Sequence, residues 1–245
     1  MNAALAAAAT LVALAFCLST LDRWLRRRRP HELAWTVSLA LFALGSLALW
    51  WAESAGWGLG AFRIFYMAGA VLNVPWLALG TVYLLAGQHV GDRVKWWLVF
   101  LSGLTVGIVG FAPTEAPVSG DELPVGKEVF GIAPRVLAAV GSGVAAVVII
   151  AGALWSAWRV WRGRNPSLGG QRTIANPGRL VWGNLLIATG TLVLSGSGTL
   201  AGRLGKDRAF AVTLLVGIVI LFIGFLVASA SPKRVAAAPE LRSVA

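Results

Sequence analysis

The residues of this chain best able to do chemistry are gathered between Arg63 and Gly87, in RIFYMAGAVLNVPWLALGTVYLLAG. This stretch holds both tyrosines of the sequence, an asparagine, a mid-stretch proline and several glycines. At about 100° per residue, Tyr66, Gly69, Asn73, Trp76, Gly80, Tyr83 and Gly87 share one third of a helix circumference. Phenol, amide and indole are all uncharged hydrogen-bonding groups, which suit a neutral or weakly polar ligand, with Trp76 as an aromatic wall. Pro75 lacks an N–H and should leave the carbonyl of Val71, four residues earlier, without its helical donor. It is therefore a candidate hinge.

A second set lies between residues 179 and 202. Asn184, Thr191, Ser195, Gly198 and Gly202 fall within about 80° of one another on a helix. The run Ser195-Gly196-Ser197-Gly198-Thr199 is weakly helix-forming, which makes Gly196 and Gly198 the matching hinge candidates. A break there would free backbone groups that must find partners inside the protein. Two interrupted helices in two halves of a chain point to a site near the membrane midplane. Helix packing explains the same residues more plainly: small side chains let backbones approach, and Asn or Thr adds ~0.6 kcal/mol each. A third set, Arg63, Arg135, Arg203 and Arg208 with Glu53 and Asp207, sits at span ends on one side. It would suit a phosphate or carboxylate headgroup, and ion pairing among loop ends is the competing account.

Other chemistries lack their residues. No apolar run carries Lys, Asp, Glu or His near its centre, which disfavours a proton relay, a voltage sensor and a charged midplane substrate. It also excludes a retinal Schiff base, so any similarity to opsins is confined to the number and orientation of the spans. His31 and His89 are better read as interfacial residues than as haem or zinc ligands. Ser195 and Ser197 have no His or Lys within helical reach for intramembrane hydrolysis. With a single cysteine, Cys17, no disulfide can form within the chain. No cofactor and no metal are expected.

The elements that position these residues follow from composition. The chain has 245 residues, 58% hydrophobic and 13% charged, far less charge than a soluble domain carries. Seven apolar runs, charged only at their ends, lie near residues 2–21, 33–52, 62–87, 95–112, 133–158, 179–202 and 209–230. Each has about the length that crosses a bilayer as a helix. The expectation is an all-α integral membrane protein, a seven-helix bundle over residues 1–231 with a short disordered tail at 232–245. The first span, Ala- and Leu-rich with no polar midpoint, is expected at the periphery.

The net charge of +11 raises nucleic-acid binding until the charges are placed. Distributed over alternate loops, fifteen of the basic residues fall on one side and six on the other, while four acidic residues fall on the first side and six on the second. The basic side is then cytoplasmic, the N-terminus outside and the C-terminus inside. Anionic lipid headgroups at the cytoplasmic face answer that charge, and nucleic acid is not needed. The apolar run precedes Arg26 to Arg29, the reverse of a signal peptide, so the first span is read as retained. Many arginines, alanines and glycines point to a bacterial plasma (inner) membrane. Eight or nine of the twelve tryptophans fall near span ends, as interfacial anchors do.

Two further features bear on organisation. Leu85-Ala86-Gly87 followed by Asp92-Arg93 is echoed by Leu200-Ala201-Gly202 followed by Asp207-Arg208. If spans two to four and five to seven are copies, the halves are inverted, as in many secondary transporters. The loop from Pro113 to Gly131 is rich in Pro, Gly and acid and reads as a solvated connector in preference to a lid. Together these features support a carrier or binding protein for a neutral or amphipathic ligand, a lipid among the candidates, held between the third and sixth spans. A scaffold or regulatory subunit, with a membrane-protein partner or a second copy of itself, is the alternative. An enzyme acting on lipid headgroups at the rim arginines is the third reading.

Overall fold

The computed structural model describes residues 2–120, 122–162, 177–201 and 207–229. Among the described residues the chain is helical, and its only extended pairing is an isolated bridge between Thr114 and Phe130. Six helical segments are long and apolar enough to cross a membrane: Ala3–Arg27, Pro30–Ala55, Leu59–Ala86, Gln88–Phe111, Ile132–Ser156 and Ala209–Val227. This is the signature of a multi-pass membrane protein. The tail at 232–245, Gly202 and Arg203 lie outside the described residues.

Helix α1 (Asn2–Arg27) is built on a stripe of Ala6, Ala9, Ala13, Phe16 and Thr20, all at most 1% exposed. Steps of three and four residues put these on one seam. The seam packs against α2 (Pro30–Ala55) and α9 (Asp207–Ser229), with Phe16 between Phe222 and Phe225 at 4.6 and 4.9 Å. The first span is therefore not peripheral. Small alanines, the reason it looked featureless, are what allow close approach. Helix α2 opens on Pro30 with Glu32 in its first turn and ends at Gly56, whose φ of 88° only glycine adopts freely.

The third span is composite. Helix α3 (Leu59–Phe65) runs into a π-helical turn (Tyr66–Leu72) and then α4 (Asn73–Ala86). Gly87, at φ 82°, turns the chain into α5 (Gln88–Phe111). After the loop and a single turn, α6 (Gly126–Val129), come α7 (Ile132–Trp161), α8 (Pro177–Ala201) and α9. The contacts run α1–α2–α4–α7–α8–α9 and back to α1, a closed ring of six helices. Helix α5 lies outside it, against α4 and the π turn, and is the least buried of the spans at 17% against 39% for α1. It presents Trp96, Trp97, Phe100, Leu104 and Phe111 outward.

Two glycine contacts set the ring's tightness. A Cβ on Gly190 of α8 would fall 2.8 Å from the backbone nitrogen of Leu221 in α9, and one on Gly224 would fall 2.8 Å from that of Ile187. The α8 and α9 backbones therefore touch, which no larger residue permits. On the other side, Gly45 of α2 lies against the backbone of Gly69 in the π turn.

The loop at 113–131 is folded down rather than free. Trp57 N–H donates to the Gly120 carbonyl at 2.8 Å, and Glu115 N–H to that of Val129 at 2.9 Å. Phe130, fully buried, stacks on Phe62 at 5.3 Å and meets the Tyr66 ring at 5.0 Å. Its apolar residues, outvoted by Pro, Gly and acid in the sequence pattern, anchor it.

Candidate functional site

A cavity of about 20 Å³ lies between α2, α4, α8 and α9, lined by Ser38, Leu39, Phe42, Asn73, Val74, Leu77, Thr191, Leu194, Ile218 and Leu221. Three of these are polar, and all three are buried: Ser38 at 1%, Asn73 at 8% and Thr191 at 2% exposure. The remaining walls are aliphatic or aromatic.

Local sequence explains why the polar groups meet here. The N–H of Asn73 bonds to the carbonyl of Ala68, five residues back, which is the π register. Returning from that register to an α-helix leaves a surplus carbonyl, and Pro75 withholds one more donor. Neighbouring helices supply the missing hydrogens. The Ser142 hydroxyl of α7 donates to the Ala70 carbonyl. The Ser38 hydroxyl of α2 is 2.9 Å from the Asn73 carbonyl and 2.8 Å from its Oδ1, and its one hydrogen serves either. The carbonyls of this stretch that accept a hydroxyl are those of Ala70, five residues before Pro75, and Asn73.

The chemistry of the lining follows from these bonds. Thr191 spends its hydroxyl hydrogen on the Ile187 carbonyl at 2.8 Å, so toward the cavity it can only accept. Ser38, donating to Asn73, likewise keeps lone pairs. Asn73 brings two amide hydrogens. The lining therefore offers donors and acceptors without charge, against apolar walls. A volume of 20 Å³ has room for a water-sized group, and anything larger requires α4 and α8 to part.

Of the residues singled out in the sequence, Asn73 and Thr191 are brought together at this cavity. Pro75 is buried at the start of α4 and lies toward Gly141 of α7. Trp76 donates from Nε1 to the Ser102 hydroxyl of α5 at 3.2 Å, on the side of α4 facing away from the ring. Tyr83 donates to Asp92 Oδ1 at 2.8 Å, with its ring against Gly91, and so pins the α4–α5 corner. Tyr66 belongs to the opposite end, where its ring packs on Phe130 and Gly126. The side chains of Asn184, Ser195 and Arg208 lie outside what the structure describes, as does the environment of Gly198. The backbone of α8 runs as unbroken α-helix through Gly196 and Gly198, so among the described residues the departure from α geometry is confined to Tyr66–Leu72. Of the rim arginines, Arg63 donates from Nη2 to the Ala112 carbonyl at 2.6 Å, tying α3 to the end of α5, and Arg135 is exposed.

Sequence reasoning missed Ser38 and Ser142. Each was visible only as a lone hydroxyl in an apolar run, a signal shared by Ser46, whose buried oxygen has no partner among the described residues. Comparison with protein-family models, with curated proteins and with solved structures finds no match to this chain.

Proposed function

We propose that the chain is a membrane carrier or binding protein for a neutral or amphipathic molecule, a lipid among the candidates, held between the third span and α8. The observation that carries this reading is the cavity between α4 and α8, polar but uncharged where Ser38, Asn73 and Thr191 line it. An ionic substrate would face buried groups that cannot neutralise it. The π turn and Pro75 next to Asn73 support the reading further, because a span already freed from regular hydrogen bonding there has less to break on opening.

In this reading α8 is the sixth of seven spans, the N-terminus faces outward, and the arginine-rich ends of α1 and α7 face the cytoplasm of a bacterial inner membrane. The two halves, α2 to α5 and α7 to α9, are inverted copies, which accounts for the Asp-Arg echo. Thermal unfolding of the purified chain with and without added membrane lipid extract tests the binding claim. Extract should raise the melting temperature of the wild type and do so much less for Asn73→Leu and Thr191→Val. Equal stabilisation of all three contradicts it.

One observation favours a second reading, a subunit of a larger membrane assembly, alone or with copies of itself. Helix α5 stands outside the ring with a broad apolar face. Gentle solubilisation and mass spectrometry separate the two: a stoichiometric companion protein supports the subunit, and a chain recovered alone supports the carrier.

A further inference from the structure

At the arginine-rich end of the bundle, α1 and α2 run antiparallel, and the Thr36 hydroxyl lies 3.2 Å from that of Thr20. One turn further toward that end, this register sets Arg23 of α1 opposite Glu32 of α2. Glu32 is 4% exposed, and its Oε2 is buried with no partner among the described residues. Nη2 of Arg23 is also buried without a partner, while its guanidinium carbon sits 4.1 Å over the Phe225 ring of α9. Trp35 closes the same corner, 4.9 Å from Phe225. A carboxylate oxygen and a guanidinium N–H, both stripped of water and both unanswered, are costly unless something supplies a donor to one and an acceptor to the other.

We infer that Arg23 and Glu32 form a binding site for a zwitterionic lipid headgroup, a phosphate joined to a primary ammonium. The ammonium would donate N–H to Glu32 Oε2 and the phosphate would accept from Arg23 Nη2. Charge explains the preference for a zwitterion. Glu32 is one carboxylate facing Arg23, Arg27 and Arg29, so the arginines answer a phosphate while the carboxylate calls for a cationic donor that a purely anionic headgroup lacks. Position explains the lipid: the site is at the end of α1 and α2, where Arg26 to Arg29 and Trp24 mark the interface, with Trp35 half-buried at its edge. The site does not depend on the central cavity, and either can fail without the other.

Phosphatidylethanolamine and phosphatidylcholine of the same acyl chains carry the same charges and differ in N–H donors. That difference is the test. Delipidated full-length protein in detergent is titrated with each lipid, with phosphatidylglycerol and with soluble phosphoethanolamine, and occupancy is read by native mass spectrometry. The ethanolamine lipid should bind about tenfold tighter than the choline lipid, the ratio expected of a hydrogen bond between charged groups. Glu32→Gln should abolish the ethanolamine-over-choline preference, and Arg23→Gln should weaken every phospholipid. Equal binding of ethanolamine, choline and glycerol lipids to the wild type would overturn the site, since a bridging water would then satisfy both atoms. Soluble phosphoethanolamine binding as tightly as the lipid would overturn the assignment to a membrane source. Because the wild-type comparison decides the matter alone, a variant that fails to fold does not remove the test.

Discussion

Replacing Gly190 by alanine probes the packing that shapes the central cavity, and its cost can be estimated from distances. The new methyl would lie 2.8 Å from the Leu221 nitrogen, 3.0 Å from the Gly217 carbonyl oxygen and 3.0 Å from the Leu221 Cα. All three are backbone atoms and cannot rotate away, so α8 and α9 must separate by roughly 0.5–1 Å. A gap of that size forfeits a quarter to a half of each contact, worth about 0.1–0.2 kcal/mol per atom pair. Over the few dozen pairs of a helix seam the loss is about 1–3 kcal/mol, the usual cost of overpacking. Gly103 of α5 is the control, because a methyl there meets nothing within 4 Å. The assay is reversible unfolding in mixed micelles followed by tryptophan fluorescence. Gly190→Ala should lose about 1–3 kcal/mol, and Gly103→Ala should match the wild type or gain slightly. A Gly190→Ala protein as stable as the wild type would refute backbone contact between α8 and α9, and with it the cavity wall formed by Leu194, Ile218 and Leu221.

Other substitutions test the hydrogen bonds around the π turn and the corner. Ser142→Ala removes the hydroxyl that answers the Ala70 carbonyl and should cost about 1 kcal/mol in the same micelle assay, within the range for polar contacts between membrane helices; no change would mean that carbonyl has another partner. Ser38→Ala should cost a similar amount and, unlike Ser142→Ala, enlarge the cavity, so that stabilisation by small neutral solutes increases. Tyr83→Phe should loosen the α4–α5 corner, read as faster hydrogen exchange around Gly87 to Asp92 with unfolding affected by no more than about 1 kcal/mol.

The apolar runs were legible because hydrocarbon leaves the backbone one local solution. The predicted runs at 2–21, 33–52 and 133–158 lie inside observed helices, those at 62–87 and 95–112 pass the ends of α4 and α5 by one residue, and α1 and α2 extend beyond their runs at the polar ends, through Arg27 and from Pro30. Which helices would be central was not legible. Helix α1 has no polar midpoint and yet is part of the ring, because close approach needs small residues and not polar ones. Trp-rich α5 lies outside. The polar face of the third span was assigned by assuming 100° per residue throughout. The π turn between Tyr66 and Leu72 breaks that assumption, and α2, α5 and the folded loop each claim part of the face. Asn73 and Thr191 survive as cavity residues because both sit midway along their spans, where only the bundle interior can serve a polar group. Glu32 and Arg23 escaped notice because charge at a span end is ordinary; what marks them is unanswered burial, which only coordinates reveal.

The most direct test of a central neutral site is a density map of the chain in nanodiscs made from total membrane lipid. Density touching Ser38, Asn73 and Thr191, with α4 and α8 further apart than the 20 Å³ cavity implies, is the predicted result. Closed packing with Leu77 and Leu194 filling the same space, and density confined to the outer surface of the bundle, would contradict it.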